Sequence, residues 1–293
     1  MTNTVEIRHG CAAEFHYDLG HSLRALPDGA IHRRRLPAAQ RRSKAMTESS
    51  SVDRAELAKF GAMSDAWWDP EGAFAPLHKF NPVRLDFIRD VAARHFGRDP
   101  KSLVPFRGLR LLDIGCGGGL LSEPMARLGF RVVGADASGR NVGAASTHAL
   151  EGGLDIDYRE TTAEELALAG ERFDVVLNME VVEHVADLAG YISACAELVG
   201  RGGLMFVATL NKTLKSLILA KVTAEYVLGW LPRGTHDWSR FIAPDQLQVM
   251  LEKTGLKTMK LQGVTFDPIG WKWRLSPDMA INYMIVACRA GGD

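Results

Sequence analysis

The chain has 293 residues, and its 35 Lys and Arg residues balance 35 Asp and Glu residues, so the formal net charge is zero. Hydrophobic residues make up 46% and charged residues 24%, a composition typical of soluble globular proteins that excludes the disordered, collagenous and membrane-spanning classes. A neutral chain lacks the basic excess that displaces counterions from a phosphate backbone, which argues against nucleic acid as its main partner.

The four cysteines are widely separated and form no C-x-x-C pair, so neither a zinc ribbon nor a disulfide framework is predicted. They are Cys11, Cys116, Cys195 and Cys288. Such usage is typical of a reducing cytoplasm. No apolar run reaches the length that a bilayer span needs, and the N-terminus lacks the apolar core of a secretory signal. We therefore expect a cytoplasmic protein that is not integral to a membrane.

Residues 1–50 differ from the rest of the chain, because arginines cluster there and no apolar period is sustained. We expect this extension to be disordered. An organelle presequence is one interpretation of an Arg-rich start, although the acidic residues in this segment do not fit that class. The other is that translation begins at Met46. Residues 51–293 are then expected to form one domain.

From Asp53 onward, helical and strand patterns alternate. Apolar residues at helical spacing predict helices over 55–67 and 83–96, ahead of the first strand. Seven strands are predicted over 109–114, 131–135, 156–159, 173–178, 204–210, 256–264 and 282–289. Further helices are predicted over 120–128, 141–150, 188–199 and 244–254. This alternation predicts an α/β fold with a mostly parallel, doubly wound sheet that binds its ligand at the carboxyl ends of the strands.

The first strand runs into a glycine-rich turn, with glycines at 115, 117 and 119. Glycine allows positive φ and lets the backbone approach a ligand closely. A dinucleotide fingerprint would need Gly or Ala at position 120, but Leu120 stands there, which weakens the interpretation as a pyrophosphate site. Asp136 ends the next strand, 21 positions after Gly115, where a ribose diol would lie. A carboxylate accepts hydrogen bonds from both hydroxyls.

Together these residues predict a unit that binds a nucleoside without needing a phosphate, and S-adenosylmethionine is such a ligand. The pattern D-x-G-x-G-x-G, from Asp113 to Gly119, followed by Asp136, resembles the class I methyltransferases. Two alternatives stay open at this point. One is that the segment is the cofactor loop of a dehydrogenase, and the other is that it is a tight turn followed by a solvent-exposed aspartate.

Four further motifs, in order along the chain, resemble the ubiquinone-biosynthesis O-methyltransferases: 67–69 (WWD), 76–85 (PLHKFNPVRL), 180–185 (EVVEHV) and 234–237 (GTHD). The resemblance covers about residues 55 to 290. It implies a Rossmann-like class I methyltransferase fold, with a seven-stranded, mostly parallel sheet whose last strand is antiparallel and with helices on both faces. It also implies methylation of phenolic hydroxyls of polyprenylated ubiquinone precursors, including demethylubiquinol, at two steps.

The resemblance carries cofactor-binding roles to several positions. Arg84 matches an arginine that contacts the cofactor, and a guanidinium suits the methionine carboxylate; a surface arginine is the alternative. The loop glycines and Asp113 match the family's cofactor loop, and Asp136 matches the ribose position. Met179 matches an adenosyl-site methionine, although a methionine there is also compatible with ordinary core packing.

The block that contains Glu180, Glu183 and His184 invites a metal interpretation. If a helix begins there, all three side chains share one face. Two carboxylates and an imidazole suit Mg²⁺ or Mn²⁺ better than a closed zinc site, and the family resemblance implies magnesium. The alternative is that they cap a helix or orient substrate.

Three residues are catalytic candidates: Glu180, His184 and His236. A metal or a base at these positions would stabilise the phenolate that attacks the sulfonium methyl group. His236 is a possible general base, because its ordinary pKa lies near working pH. A structural histidine bonded to Asp237 is equally compatible with the motif.

An apolar, helix-like insertion from Thr213 to Leu231 follows the fifth strand. We expect it to bind a membrane surface, so the enzyme would be cytoplasmic and peripherally associated with the inner membrane; a core or dimer-contact helix is the alternative. Trp271 and Trp273 line a prenyl channel or pack simply against the core. Two rival functions stay open: methylation of another small phenol or acid, and a non-catalytic cofactor-binding member of a quinone-synthesis complex.

Overall fold

The computed structural model describes residues 51–213, 240–267, 270 and 272–291. These residues contain eight strands: β1 (Arg110–Ile114), β2 (Arg131–Asp136), β3 (Asp157–Glu160), β4 (Phe173–Met179), β5 (Val199–Leu210), β6 (Leu256–Asp267), β7 (Lys272–Ser276) and β8 (Asn282–Arg289). The sheet order is β3-β2-β1-β4-β5-β8-β6-β7. The first five strands in that order are parallel, whereas β8 runs antiparallel to both of its neighbours.

Seven α-helices accompany the strands in the described part of the chain: α1 (Arg54–Gly61), α2 (Ala75–His95), α3 (Ser122–Arg127), α4 (Gly139–Glu151), α5 (Ala163–Leu168), α6 (Leu188–Leu198) and α7 (Pro244–Lys253). Side chains of β1 alternate between the two sheet faces. Leu111 packs in the core beneath α2 and α3, and Leu112 packs in the core beneath α5, α6 and α7. Both leucines are fully buried, as expected where helices cover both faces.

The predicted α/β architecture is confirmed, with all seven predicted strands present and the last strand antiparallel. The predicted strand number is wrong, because Lys272–Ser276 adds an eighth strand at the sheet edge. Trp273 in this strand packs against Phe80, with ring centroids 4.7 Å apart, and against Phe266. The packing interpretation therefore accounts for Trp273, while Trp271 lies outside the described residues.

The helices before β1 differ from their predicted bounds. The first ends at Gly61 and is followed by a short 3₁₀ turn, Ser64–Ala66, rather than continuing to Trp67. The second begins at Ala75, because Pro76 is favourable in a first helical turn. Pro82 lies within this helix and hid it from the sequence pattern, since an internal proline normally indicates a break.

An N-terminal strap, defined as residues 51–61, crosses the domain before α2. Val52 forms an antiparallel bridge with Val185, and the carbonyl of Ser51 accepts a 2.7 Å hydrogen bond from the N–H of Ala186. The side chain of Asp53 caps the first helix and bonds Arg240 at 2.7 Å. These contacts hold the strap against the loop that follows β4.

Two predicted segments lie outside the described residues: the N-terminal extension over 1–50, and the insertion over 213–231 apart from Thr213. Within the ranges that the structure does describe, no helix combines the length and apolar character that a bilayer crossing requires.

Candidate active site

A cavity of about 280 Å³ opens at the carboxyl ends of β1, β2 and β4. The glycine turn forms its floor, the strap and α2 contribute one wall, and the loop after β4 contributes the other. In doubly wound sheets this edge is where ligands bind. Among the residues predicted to act in the site, the cavity lining includes Arg84, Asp113, Gly115, Gly117, Asp136, Met179, Glu180, Glu183 and His184.

The glycine turn needs its glycines for conformation and for packing. Gly115 and Gly117 have φ of 71° and 53°, in the left-handed region that disfavours side chains. A Cβ on Gly117 would lie 2.5 Å from the ring of Trp67, and one on Gly115 would lie 2.5 Å from Val181. The backbone of the turn is therefore packed directly beneath two side chains that line the cavity.

Gly119 also has positive φ, at 87°. It is not among the residues that line the cavity. A Cβ there would lie 2.2 Å from the hydroxyl oxygen of Tyr158. Conformation and packing thus both require glycine here, and the assignment of Gly119 to the cofactor-binding glycines stays a prediction.

Asp136 is fixed against the glycine turn by its own hydrogen bonds. One carboxylate oxygen accepts from the N–H of Gly117 at 3.0 Å, and the other accepts from the N–H of Ser138 and the amide of Asn141. Burial raises the pKa of Asp136, and these bonds oppose that rise. The indole N–H of Trp67 donates to the side-chain oxygen of Asn141 at 3.1 Å, which orients the amide that holds Asp136.

Asp113 lies below the turn and accepts a 2.6 Å hydrogen bond from the hydroxyl of Ser122. Burial, with a contribution from the nearby charge of Asp136, raises its pKa to about 6. Asp113 thus supplies partial negative charge beneath the cavity and ties β1 to α3.

Arg84 is buried on α2 and pairs with Glu180, with 2.7 Å between its Nη2 and a carboxylate oxygen. Its guanidinium lies 3.9 Å from the ring centroid of Phe80, a favourable cation–π contact. Its Nε is buried and makes no hydrogen bond. The surface interpretation of Arg84 is therefore wrong, and the guanidinium keeps a donor without a partner, as a site for a carboxylate ligand requires.

The three predicted metal ligands do not converge, and this is a correction. Glu183 accepts a 2.8 Å hydrogen bond from Thr209, and His184 bonds Glu56 through Nδ1 at 2.8 Å. Glu180 is paired with α2 instead. In the described part of the chain, no cluster of three or more His, Cys, Asp or Glu side chains is arranged to hold a metal ion.

The backbone conformation explains why Glu180, Glu183 and His184 do not share the helical face that the sequence predicted. Glu180 has φ of 58°, and only Val182–His184 that follow form a single 3₁₀ turn. In a 3₁₀ turn, side chains three residues apart point the same way. Glu180 lies before this short turn, so its side chain does not point in the same direction as those of Glu183 and His184. The assumption of an α-helix beginning at Glu180 was wrong.

The pKa values of the two remaining ionisable groups are both raised, for different reasons. Burial, then the nearby charge of Glu180, raises the pKa of Glu183 to about 8. For His184, burial alone would lower the pKa, but the hydrogen bond to Glu56 and the charge of Glu183 outweigh it, and the pKa is raised. Met179 is buried at the end of β4 and lines the cavity. His236 lies outside the described residues.

Sequence reasoning missed several lining residues. In the sequence, Trp67 stands out only as part of the 67–69 motif, because its contact with the glycine turn forms only in the folded chain. The contact of Trp67 with Asn141 and that of Glu56 with His184 carried no local signal, since the partners are 74 and 128 positions apart. Glu164 also lines the cavity, with one carboxylate oxygen buried and without a hydrogen bond. The acidic run after the third strand was the available signal for it.

Solved structures share this fold. A magnesium protoporphyrin IX methyltransferase from Synechocystis PCC 6803 with bound SAH is 22% identical, covers 77% of this chain and 92% of its own, and has a TM-score of 0.54. A SAM-dependent methyltransferase from Thermotoga maritima, described as a possible histamine N-methyltransferase, is 16% identical, covers 80% and 99%, and has a TM-score of 0.56. At these identities the likeness shows the fold alone.

Sequence relatives are much nearer. A ubiquinone biosynthesis O-methyltransferase from Sinorhizobium fredii (strain NBRC 101917 / NGR234) is 58% identical over 83% of this chain and 98% of its own length. Another, from Parvibaculum lavamentivorans, is 58% identical over 82% and 95%. The profile of a methyltransferase domain family matches residues 49–261. Identity of this extent, over a cavity built as described, shows that the chain belongs to the family of ubiquinone biosynthesis O-methyltransferases.

Proposed function

We propose that this enzyme transfers the methyl group of S-adenosylmethionine to a phenolic hydroxyl of a polyprenylated ubiquinone precursor. The observation that carries the proposal is one cavity in which the Asp136-held glycine turn and the buried, partly unpaired Arg84 lie together. The names of the relatives supply the substrate class.

The described residues fit the cofactor. Asp136 would accept from the ribose hydroxyls, the glycine turn would lie against the nucleoside, and Arg84 would hold the methionine carboxylate. Met179 would pack against the base. When bound, the cofactor supplies an electrophilic methyl group on a sulfonium centre. The protein contributes position, because holding reactants near attack distance removes much of the entropic barrier.

His184 is the residue that we assign to proton removal from the acceptor hydroxyl. Its Nδ1 is engaged by Glu56, which fixes the tautomer and leaves Nε2 as the nitrogen that accepts a proton. Phe60 contacts the ring edge-on at 5.0 Å between centroids, which restrains its orientation. Glu56 acts here as a positioning residue. Roles for Glu180 and His236 in proton removal stay predictions.

A divalent metal held by Glu180, Glu183 and His184 does not fit this arrangement. Among the described residues these three side chains form no cluster arranged to hold an ion, and Glu183 accepts a hydrogen bond from Thr209 instead. No step of the proposed mechanism is therefore routed through a metal.

The labelled-methyl assay tests the function. Purified protein is incubated with methyl-labelled cofactor and, separately, demethylubiquinol, a prenylated catechol, a soluble catechol and a carboxylic acid. We expect label in the prenylated acceptors, and none with a His184→Asn variant that still binds cofactor. Preference for the soluble catechol or the acid would support the rival substrate, and cofactor binding without turnover on any acceptor would support a scaffold.

Membrane association is a further part of the proposal, and it rests on the sequence of the insertion over 213–231. A prenylated substrate is held in lipid, and apolar residues with terminal Lys215 and Trp230 are typical of an interfacial helix. In a flotation experiment with added salt, we expect the enzyme to rise with the liposomes. A Leu217→Glu, Ile218→Glu double variant with intact cofactor binding should stay in the soluble fraction. Equal behaviour of both proteins would remove this segment as the membrane contact.

A further inference from the structure

The pair between Arg84 and Glu180 joins two elements that are 96 residues apart in sequence. The guanidinium is almost fully buried, with 3% of its side chain exposed, and Glu180 retains 20%. Glu180 therefore reaches inward from the cavity side to a cation that is otherwise covered. Both residues line the cavity.

The backbone at Glu180 is held in an unfavourable conformation to make this contact. Among the described non-glycine residues, Glu180 is the one with positive φ, at 58°. Its N–H donates a 2.9 Å hydrogen bond to the carbonyl of Ala208 on the neighbouring strand, which fixes the strained position. Strain of this kind persists only where surrounding structure enforces it, and it concentrates at ligand sites.

A buried cation needs a negative partner in every state of the protein. The cofactor's carboxylate is the partner that the proposed function assigns to Arg84, but the ligand-free protein must satisfy the same charge. Among the described residues, Glu180 is the one whose carboxylate hydrogen-bonds the guanidinium, and Asn81 contributes a neutral side-chain oxygen at 3.5 Å. Asp113 lies near enough to add negative potential.

We propose that Glu180 is a stand-in for the cofactor's carboxylate: it neutralises Arg84 while the site is empty and gives up this contact when the cofactor binds. The inference rests on the proposed function for the place of the methionine carboxylate. Glu180 thus competes with every ligand that carries a carboxylate there, and not with ligands that lack one. The released side chain then faces the cavity as a free carboxylate, ready for the acceptor.

The test compares two ligands on the full chain by calorimetric titration: S-adenosylhomocysteine, which carries the carboxylate, and 5′-methylthioadenosine, which does not. For Glu180→Gln we expect affinity for S-adenosylhomocysteine to rise by roughly three- to tenfold, because Gln still offers Arg84 a neutral hydrogen bond and only the difference between a charged and a neutral bond is lost. Affinity for 5′-methylthioadenosine should be unchanged. Equal gains for both ligands, or no gain or a loss for S-adenosylhomocysteine, would overturn the proposal.

Glu56→Gln is the matched control, because Glu56 lines the same cavity but bonds His184 instead of Arg84. It should show no gain that is specific for S-adenosylhomocysteine, and such a gain would reduce the effect at Glu180 to general charge removal and overturn the proposal. Arg84→Lys separates the two levels of argument. If this variant keeps the preference for S-adenosylhomocysteine over 5′-methylthioadenosine, Arg84 does not bind the carboxylate and the proposed role of Glu180 is wrong as well. The proposed methyl transfer would not be affected by that result.

A melting experiment gives an independent readout. Without ligand, Glu180→Gln should lower the melting temperature, because Arg84 loses its charged partner. Saturating S-adenosylhomocysteine should remove most of that deficit, and saturating 5′-methylthioadenosine should not. A deficit that persists equally with both ligands would mean that Glu180 has a structural role only.

Discussion

Asp136 joins two functions in one carboxylate, since it holds the glycine turn and faces the expected ribose. Asp136→Ala should therefore lower affinity for S-adenosylmethionine by about 1.5 to 3 kcal/mol, the range for hydrogen bonds to charged groups. Calorimetric titration measures this loss. Because the N–H of Gly117 also loses its acceptor, the melting temperature of the variant must be measured beside it. Unchanged affinity, or tight NAD binding by the unmodified enzyme, would contradict the assignment.

Asp113 gives a prediction for pH. Burial raises its folded-state pKa to about 6 from an ordinary 3.8, so the native state binds the proton more tightly than the unfolded state. The stability that this proton contributes is complete below pH 4 and is lost as pH rises through 6. The full span is about 3 kcal/mol. The Asp113→Asn variant has no carboxyl group at this position, so it does not lose this stability as pH rises. Its amide oxygen can still accept the hydrogen bond from Ser122.

The expected result is that the melting temperature of Asp113→Asn, relative to the unmodified enzyme, rises between pH 4 and pH 7. The exposed Asp155 provides the control, because Asp155→Asn removes a surface carboxylate, and the same rise for that variant would contradict the assignment to Asp113. A constant difference for Asp113→Asn would show that its folded-state pKa is ordinary.

At the residue scale, the sequence predicted the groups whose signal is local. The glycines and Asp136 follow from spacing along one βαβ unit, and the cavity contains them. The bond by which Trp67 orients Asn141 was not predictable, because the two residues are 74 positions apart and a long-range side-chain contact has no sequence period. The three-residue metal cluster was mispredicted for a related reason: it assumed a helical backbone, and the direction of each side chain depends on that backbone.

At the scale of elements, the contacts of the turn after β4 predict how a chelator affects methyl transfer. Its side chains are each committed to a partner on another element: Glu180 to α2, Glu183 to β5 and His184 to the strap. We expect enzyme treated with EDTA, with metal loss verified by elemental analysis, to retain full methyl transfer. Activity that is lost and then restored by Mg²⁺ would show that these contacts rearrange around an ion.

Elements with a strong period were predicted well, and elements stabilised by tertiary contacts were not. The strands of the parallel sheet are short buried runs bounded by turns, so their positions were visible in the sequence. The edge strand Lys272–Ser276 has five residues and is held by pairing with β6 and by Trp273 against Phe80. The start of α2 was hidden by Pro82, whose cost is offset by the packing of that helix on the sheet.

For the whole molecule, the domain that the family shares begins near residue 49. The Sinorhizobium fredii relative aligns over 98% of its own length and 83% of this chain. A shortened chain that begins at Met46 should therefore keep its melting temperature and its rate of methyl transfer. Both are compared with the full chain under identical conditions, and a melting temperature lower by several degrees would show that residues 1–45 contribute to stability.

The strap over residues 51–61 has a consequence for turnover. It forms part of the cavity wall, so spent cofactor leaves past it or after it lifts. Its contacts with the rest of the domain include the bridge from Val52 to Val185, the bond from Glu56 to His184 and the bond from Asp53 to Arg240. Local opening of so short a segment costs far less than unfolding the domain, and lid opening often limits product departure. We therefore expect opening of this short helix to affect the lifetime of the product complex, and through Glu56 the same helix holds the ring of His184.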